Sequence, residues 1–278
     1  MFISVVIPTY NRRQYLEECL LSLGNQAYPV AQYEVIVVDD GSTDETRDFL
    51  NEFSRNVPFR FRALHQSNRG PSSARNLGVS KASGDLIAFL DDDCIAGEGW
   101  LESLSKRFGD EQVAGVGGAI KSITSGTIPS YLNYMGLFSH LIQDGVVYYI
   151  ITANACYRKA VLQEVGGFNE GIRKPGCEDP ILSLRVREHG YVLTYDPDAI
   201  VLHQHKRDLS SLLGTFFNYG RGRNILDQVF DGKHLPKRRR YSVMKSIKEN
   251  GSVKVGGIFL VLWLLSGIAY RMGRLRGY

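Results

Sequence analysis

Residues 86–100 read LIAFLDDDCIAGEGW, and the fold turns on how this stretch is understood. Leu86, Ile87, Ala88, Phe89 and Leu90 form a short apolar run opened by Gly84 and Asp85. Such a run suits a strand covered on both faces. Asp91, Asp92 and Asp93 then follow with no basic neighbour in sequence. Carboxylates crowded at the edge of an apolar core repel one another and lose hydration, so a positive partner must come from elsewhere.

Outward from this strand, the first hundred residues alternate strand and helix patterns. ISVVIPTY (3–10), YEVIVVDD (33–40) and FRFRALHQ (59–66) have strand character. Between the first two, Tyr15, Leu16, Cys19, Leu20 and Leu23 share a helical face. Asp44 can cap a helix over DETRDFLNEFS, and GPSSARNLGVSKASG supplies another. The β-α-β-α-β-α-β rhythm predicts a mostly parallel sheet flanked by helices. Ligands of such sheets bind beyond the carboxyl ends of the strands. Tyr10, Asp39, Asp40 and the three aspartates all fall there. The expected division is 1–112 and 113–223 as two halves of one domain, followed by a tail over 224–278.

Composition narrows the function. The chain has 278 residues, is 44% hydrophobic and carries a net charge of +4. That charge is concentrated late: after Lys233 the only acid is Glu249, among dense lysine and arginine. A basic tail suits anionic lipid or nucleic acid. Acids dominate the strand ends, so nucleic acid is not the expected partner. Residues 255–270, VGGIFLVLWLLSGIAY, carry no charge and approach the length of a spanning helix, about 20 residues. They are expected to span a membrane or lie in its interface. The N-terminus lacks the charged start and cleavage site of a signal peptide. Four cysteines without a CxxC pair indicate neither a zinc site nor a disulfide framework and fit a reducing compartment.

Several motifs carry chemistry. Asp91-x-Asp93 at a strand end can hold a divalent cation, Mn²⁺ or Mg²⁺, that also grips a diphosphate. Asp40 offers a carboxylate to a base N–H, and Tyr10 a ring to stack on that base. Arg69 and Arg75 near a helix start suit a diphosphate. Glu178-Asp179 is ordinary helix-start chemistry, but Asp179 also suits a general base in a partly desolvated pocket. His203 and His205 end a strand, where one can complete a metal shell. FFNYGRGR (216–223) joins aromatics, arginines and glycines in a pattern suited to a sugar or pyrophosphate.

With these residues assembled, the sequence resembles the family 2 glycosyltransferases, from about Ile3 to Arg223. VVIPTYNR, VIVVDDGSTD, NRGPSSARNLGV, FLDDDC, GGF and CEDPILSLRV occur in that family's order. The resemblance implies a GT-A fold and inverting, metal-dependent transfer of a hexose from a nucleotide-sugar donor, a UDP-sugar in the first instance. It implies Pro8, Tyr10 and Asp40 at the nucleoside, and Arg75, Asp91 and Asp92 at the donor. Asp93 becomes the leading metal ligand, with Asp91 beside it, and Asp179 the base; His203, from its place at the end of a strand, is the further candidate ligand. The implied acceptor is a glycan or lipid-linked hydroxyl at the cytoplasmic face of the cell membrane. FFNYGRGR stands where processive synthases carry Gln-x-x-Arg-Trp, a motif this chain lacks. The competing expectation is a nucleotide-sugar-binding protein without catalysis.

Overall fold

The structure is a computed structural model and describes residues 1–137, 139–204, 208–230 and 253–276. His205 and most of the basic run expected after Lys233 lie outside the described residues. The described chain forms two compact units. The first comprises Met1–Ile123, Ser139–Lys174 and Glu178–Gln204, and the second comprises Thr124–Phe138, Pro175–Cys177 and His205–Tyr278.

The first unit opens with the expected alternation: β1 (Ile3–Thr9), α1 (Arg13–Gly24), β2 (Tyr33–Asp39), α2 (Thr46–Phe53), β3 (Arg60–His65), α3 (Pro71–Lys81) and β4 (Leu86–Leu90). It continues with β5 (Cys94–Ala96), α4 (Trp100–Lys106), β6 (Val113–Ser122), and, after residues of the second unit, β7 (Leu141–Gln143) and β8 (Val146–Tyr149). Then come β9 (Asn154–Arg158), α6 (Lys159–Glu164), α7 (Glu178–Glu188) and β10 (Val192–His203), the label α5 belonging to Thr127–Tyr134 of the second unit. Eight strands form one sheet in the order β3-β2-β1-β4-β9-β6-β10-β5. β3, β2, β1 and β4 run parallel, as do β6 and β10, while β9 and β5 run antiparallel to their neighbours.

Burial explains the composition of the strands. Every residue of β2 and β4 is buried; β4 is apolar throughout, while β2 buries Glu34 and Asp39 at the two ends of its apolar middle Val35–Val38. Helix α3 lies close on β1 because Gly78 has no side chain; a Cβ there would stand 2.4 Å from Val6 Cγ1. Val6, Ile36, Val38, Ile87, Phe89 and Tyr157 share the central apolar cluster with Leu182 and Val186 of α7. This packing directs the carboxyl ends of β1, β2, β4, β6 and β10 to one edge of the sheet. Because β9 pairs antiparallel with β4, Asn154 opposite Leu90, its beginning joins the same edge.

In the second unit, α5, α8 (Leu209–Phe230) and α9 (Val253–Arg276) share a separate apolar cluster. Tyr131, Leu212, Phe216, Phe259, Leu262 and Ala269 form it. FFNYGRGR proves to be the middle of α8, so its glycines are not loop hinges. Gly220 faces the Tyr270 carbonyl, where a Cβ would be only 2.0 Å away, and Gly222 faces the Gly176 carbonyl at the same separation. Close backbone approach, rather than flexibility, is what these glycines provide.

Candidate active site

The acidic triplet stands where β4 ends, and each aspartate has a different environment. Asp93 is buried, with one oxygen against the Arg12 guanidinium and Oδ1 3.3 Å from His203 Nε2. Asp92, also buried, accepts from Thr9 Oγ1 at 2.7 Å and lies 3.3 Å from Arg12 Nη1. Asp91 is more open and accepts from Arg75 Nη2 at 2.8 Å. The positive charge that the sequence demanded is therefore supplied within the chain by Arg12 and Arg75. Arg12 closes the VVIPTYNR motif, but the motif alone assigns it no role, although it follows the strand that pairs with β4.

Electrostatics separate the two buried aspartates. Burial pushes the Asp92 carboxyl up, Arg12 opposes this, and the Asp93 charge adds to it. Burial acts on Asp93 in the same direction, but His203 and Arg12 outweigh it and hold Asp93 below the usual carboxylate range. Asp93 is thus the more readily ionised of the pair.

Arg75 joins the triplet to the Glu-Asp motif. Its buried guanidinium lies 2.8 Å from Asp91 and 3.6 Å from Glu178 Oε1. Burial opposes its charge, and Asp91, Asp179 and Glu178 together raise its pKa. The clamp expected of Arg75 is therefore engaged by protein carboxylates. Arg69 lies outside this arrangement: it is exposed and pairs with Glu170 at 3.0 Å. Asp179, in the first turn of α7, is half-buried and accepts from Thr152 Oγ1 at 2.7 Å. Burial and then the Glu178 charge push its carboxyl up to about 7, with Arg75 in opposition.

At the β1 and β2 ends, Asp40 N–H donates to the Thr9 carbonyl at 2.9 Å, which sets Tyr10 and Asp40 side by side in the chain's fold. Tyr10 is exposed and Pro8 lies within β1. The Asp40 carboxylate, expected to face a base, already has three donors within the chain. It accepts from Gln66 Nε2, Arg69 N–H and Gly70 N–H at 2.7–2.8 Å and so fastens the loop before α3. A buried carboxylate beside loop amides finds its partners locally, which sequence spacing does not reveal.

The donor chemistry fits a divalent cation at part of this site. Asp93 Oδ1 and His203 Nε2 form an oxygen–imidazole pair, a combination suited to Mn²⁺. Cys94 Sγ lies within 4.8 Å of both, but burial raises its pKa and keeps the thiol protonated, so it does not suit a hard cation. The side chain of Asp91, expected as a ligand, is turned to Arg75.

An acidic motif at the carboxyl edge of this mixed sheet defines an α/β protein of the GT-A type. The model of the family described as Glycosyl transferase family 2 matches residues 4–166. The chain is 30% identical to glycosyltransferase AglE of Haloferax volcanii, over 80% of this chain and 72% of that protein. It is 31% identical to the pre-mycofactocin glycosyltransferase of Mycobacterium tuberculosis, over 98% of this chain but only 54% of that protein. The chain thus spans about half of that second relative's length. Among solved structures, the mannosyltransferase PcManGT of Pyrobaculum calidifontis with GDP-Man and Mn²⁺ aligns at a TM-score of 0.70 and 18% identity, covering 99% and 87% of the two chains. S. aureus TarS 1–349 with UDP-GlcNAc aligns at 0.61 and 17%, covering 99% and 91%. The chain belongs to glycosyl transferase family 2.

Proposed function

We propose that the protein transfers a hexose from a nucleotide diphosphate donor, a UDP-sugar first among them, to a hydroxyl of a glycan or lipid-linked acceptor, with inversion. The observation that carries this reading is the Arg75 guanidinium between Asp91 and Glu178, which couples the strand-end acids to the Glu-Asp motif. The bound donors of the structural neighbours, GDP-Man and UDP-GlcNAc, support a nucleotide sugar. Mn²⁺ beside GDP-Man in one of them supports a divalent cation.

Asp93 and His203 are the residues that would hold such a cation, with Pro8, Tyr10 and the Asp40-fastened loop at the nucleoside. A cation held there supplies positive charge for the leaving diphosphate. Asp179 takes the proton of the acceptor hydroxyl, whose oxygen bonds to the anomeric carbon as the bond to the diphosphate breaks. The nucleoside diphosphate departs from the opposite face, and no covalent enzyme intermediate forms. Arg75 pairs with Asp91 and Glu178, and Asp179 is the carboxylate that takes the proton.

The expected residence is the cytoplasmic face of the cell membrane. Support comes from α9, whose residues Gly257–Arg276 are long and apolar enough to cross a membrane by length and composition.

The test is Asp179→Asn, with UDP- and GDP-sugars plus Mn²⁺ as probes. Nucleotide-sugar binding should persist by calorimetry, while nucleotide release falls by roughly 10²–10⁴-fold. Near-normal release would refute Asp179 as base. Binding without release in the unaltered protein would favour the non-catalytic alternative.

A further inference from the structure

Residues 150–153, between β8 and β9, form a turn whose backbone is anchored on two sides. Ile150 N–H donates to Ser183 Oγ on α7 at 3.2 Å, and the Tyr157 hydroxyl lies 3.0 Å from the same oxygen. Ile151 N–H donates to His140 Nδ1 at 2.9 Å, and Asn154 N–H closes the turn on the Ile151 carbonyl at 3.1 Å. Because His140 Nδ1 accepts, Nε2 carries the ring proton and donates to the Gly118 carbonyl at 2.6 Å. Burial lowers the His140 pKa to about 4, so the ring is neutral at working pH. Gly118 cannot carry a side chain, since a Cβ would stand 2.2 Å from the Ala199 carbonyl. The turn is therefore hydrogen-bonded on both sides.

This turn presents Thr152, only 1% exposed, with Oγ1 donating to Asp179 Oδ1 at 2.7 Å. Among the described residues no other hydrogen bond reaches the Asp179 carboxylate. We propose that Thr152 is a positioning residue for the base: its hydroxyl occupies Asp179 Oδ1 and leaves Oδ2 to take the acceptor proton, with His140 and Ser183 holding the turn that carries it. This rests on Asp179 being the base.

A donor to one carboxylate oxygen favours the ionised form. The other charged or titratable groups facing Asp179 are Glu178 on α7, Arg75 on α3, Asp91 after β4 and Tyr157 on β9. None of these is altered by replacing Thr152 with valine, which keeps its shape and removes only the hydroxyl. Turn geometry alone would hold α7 in place without influencing the Asp179 proton, and that difference is measurable.

The experiment compares the full chain with Thr152→Val and Thr152→Ser, using aspartate carboxyl ¹³C NMR, with Asp179→Asn assigning the signal. The Asp179 pKa should rise by about one unit in Thr152→Val, a tenfold change in proton affinity, and return in Thr152→Ser. The low-pH limb of Mn²⁺-supported nucleotide-sugar hydrolysis should move with it. An unmoved Asp179 pKa in a folded Thr152→Val protein would overturn the proposal, as would failure of Thr152→Ser to restore it. Should Thr152→Val not fold, Thr152→Cys, a weaker donor, must give a rise of the same sign. If Asp179→Asn retains activity, the base assignment fails on its own account; if Asp179→Asn is inactive yet the pKa does not move, only Thr152 is misassigned.

Discussion

Arg12 Nη1 stands 3.3 Å from Asp92 Oδ1 while also touching Asp93, the carboxylate best suited to a cation. One guanidinium therefore serves both buried aspartates, and a cation at Asp93 would share its carboxylate with Arg12. Burial disfavours the Arg12 charge, but Asp92 and Asp93 more than compensate and its pKa is raised. Arg12→Gln leaves two buried carboxylates without that charge, a loss on the order of 3 kcal/mol for a buried pair. The variant should melt below the unaltered protein in EDTA. Mn²⁺ should then raise its melting temperature more than it raises that of the unaltered protein, because the ion replaces the missing charge. Equal Mn²⁺ shifts would show that ion and arginine do not share Asp93.

With Asp179 as the proposed base, the pH dependence of turnover is predictable. A base works only when deprotonated, and burial with Glu178 holds this carboxyl up to about 7. Nucleotide release under saturating donor and Mn²⁺ should therefore fall as pH drops through about 7, roughly tenfold for each unit below it. A rate unchanged down to about pH 5, well above the ordinary aspartate value, would separate turnover from this group.

Much of the first unit was legible because its strands announce themselves. β2 and β4 are buried throughout, and their apolar stretches Val35–Val38 and Leu86–Leu90 mark that environment in the sequence. The strand-end location of the acids followed from the same pattern. Arg12 was harder to find because its meeting with Asp92 and Asp93 depends on register: β1 pairs with β4 in parallel, Val6 opposite Phe89, some eighty positions away in the chain. Thr152 and His140 lack any motif, and their roles arise only when the turn folds onto α7. The glycines of 216–223 give no helix signal, because glycine disfavours helix interiors, yet close contact between helix backbones overrides that propensity here. Grouping of 124–138 with the C-terminal helices is likewise a matter of long-range packing that no local pattern encodes.

At the opposite end of the strands, Glu34 provides a stability test remote from the chemistry. Buried on β2, it accepts from Ser4 Oγ at 2.6 Å, Ser83 N–H at 2.6 Å and Arg62 Nη2 at 2.7 Å. Burial raises its pKa, but these donors outweigh burial and the net shift is downward. A lowered pKa means that the stabilisation is complete above the unfolded value, about 4.3, and fades as pH falls through the folded value. Glu34→Gln should cost roughly 1–3 kcal/mol in urea titrations at neutral pH, with the difference shrinking below about pH 4. A difference that does not change with pH would mean the charge is immaterial.

The two sides of α9 make opposite predictions. Phe259, Leu262, Ser266, Ala269 and Gly273 recur at helical spacing and are buried, with Gly273 so close to α8 that a Cβ would stand 1.9 Å from the Phe217 carbonyl. Leu260, Val261, Leu264 and Ile268 form an exposed apolar side, and the segment ends among Arg271, Arg274 and Arg276. Arg274 is held by Asp227 of α8. A lipid-facing surface has this apolar-then-basic order, whether the helix crosses the bilayer or lies in its interface. Replacing Leu260, Leu264 and Ile268 together by lysine should move the protein from the membrane pellet to the supernatant after centrifugation. Each lysine costs roughly 2.5–3.5 kcal/mol at the centre of a bilayer, while the buried stripe that holds α9 to α8 is untouched. Helix content by circular dichroism should therefore be preserved. Retention of the folded triple variant in the pellet would exclude this side of α9 as the lipid contact.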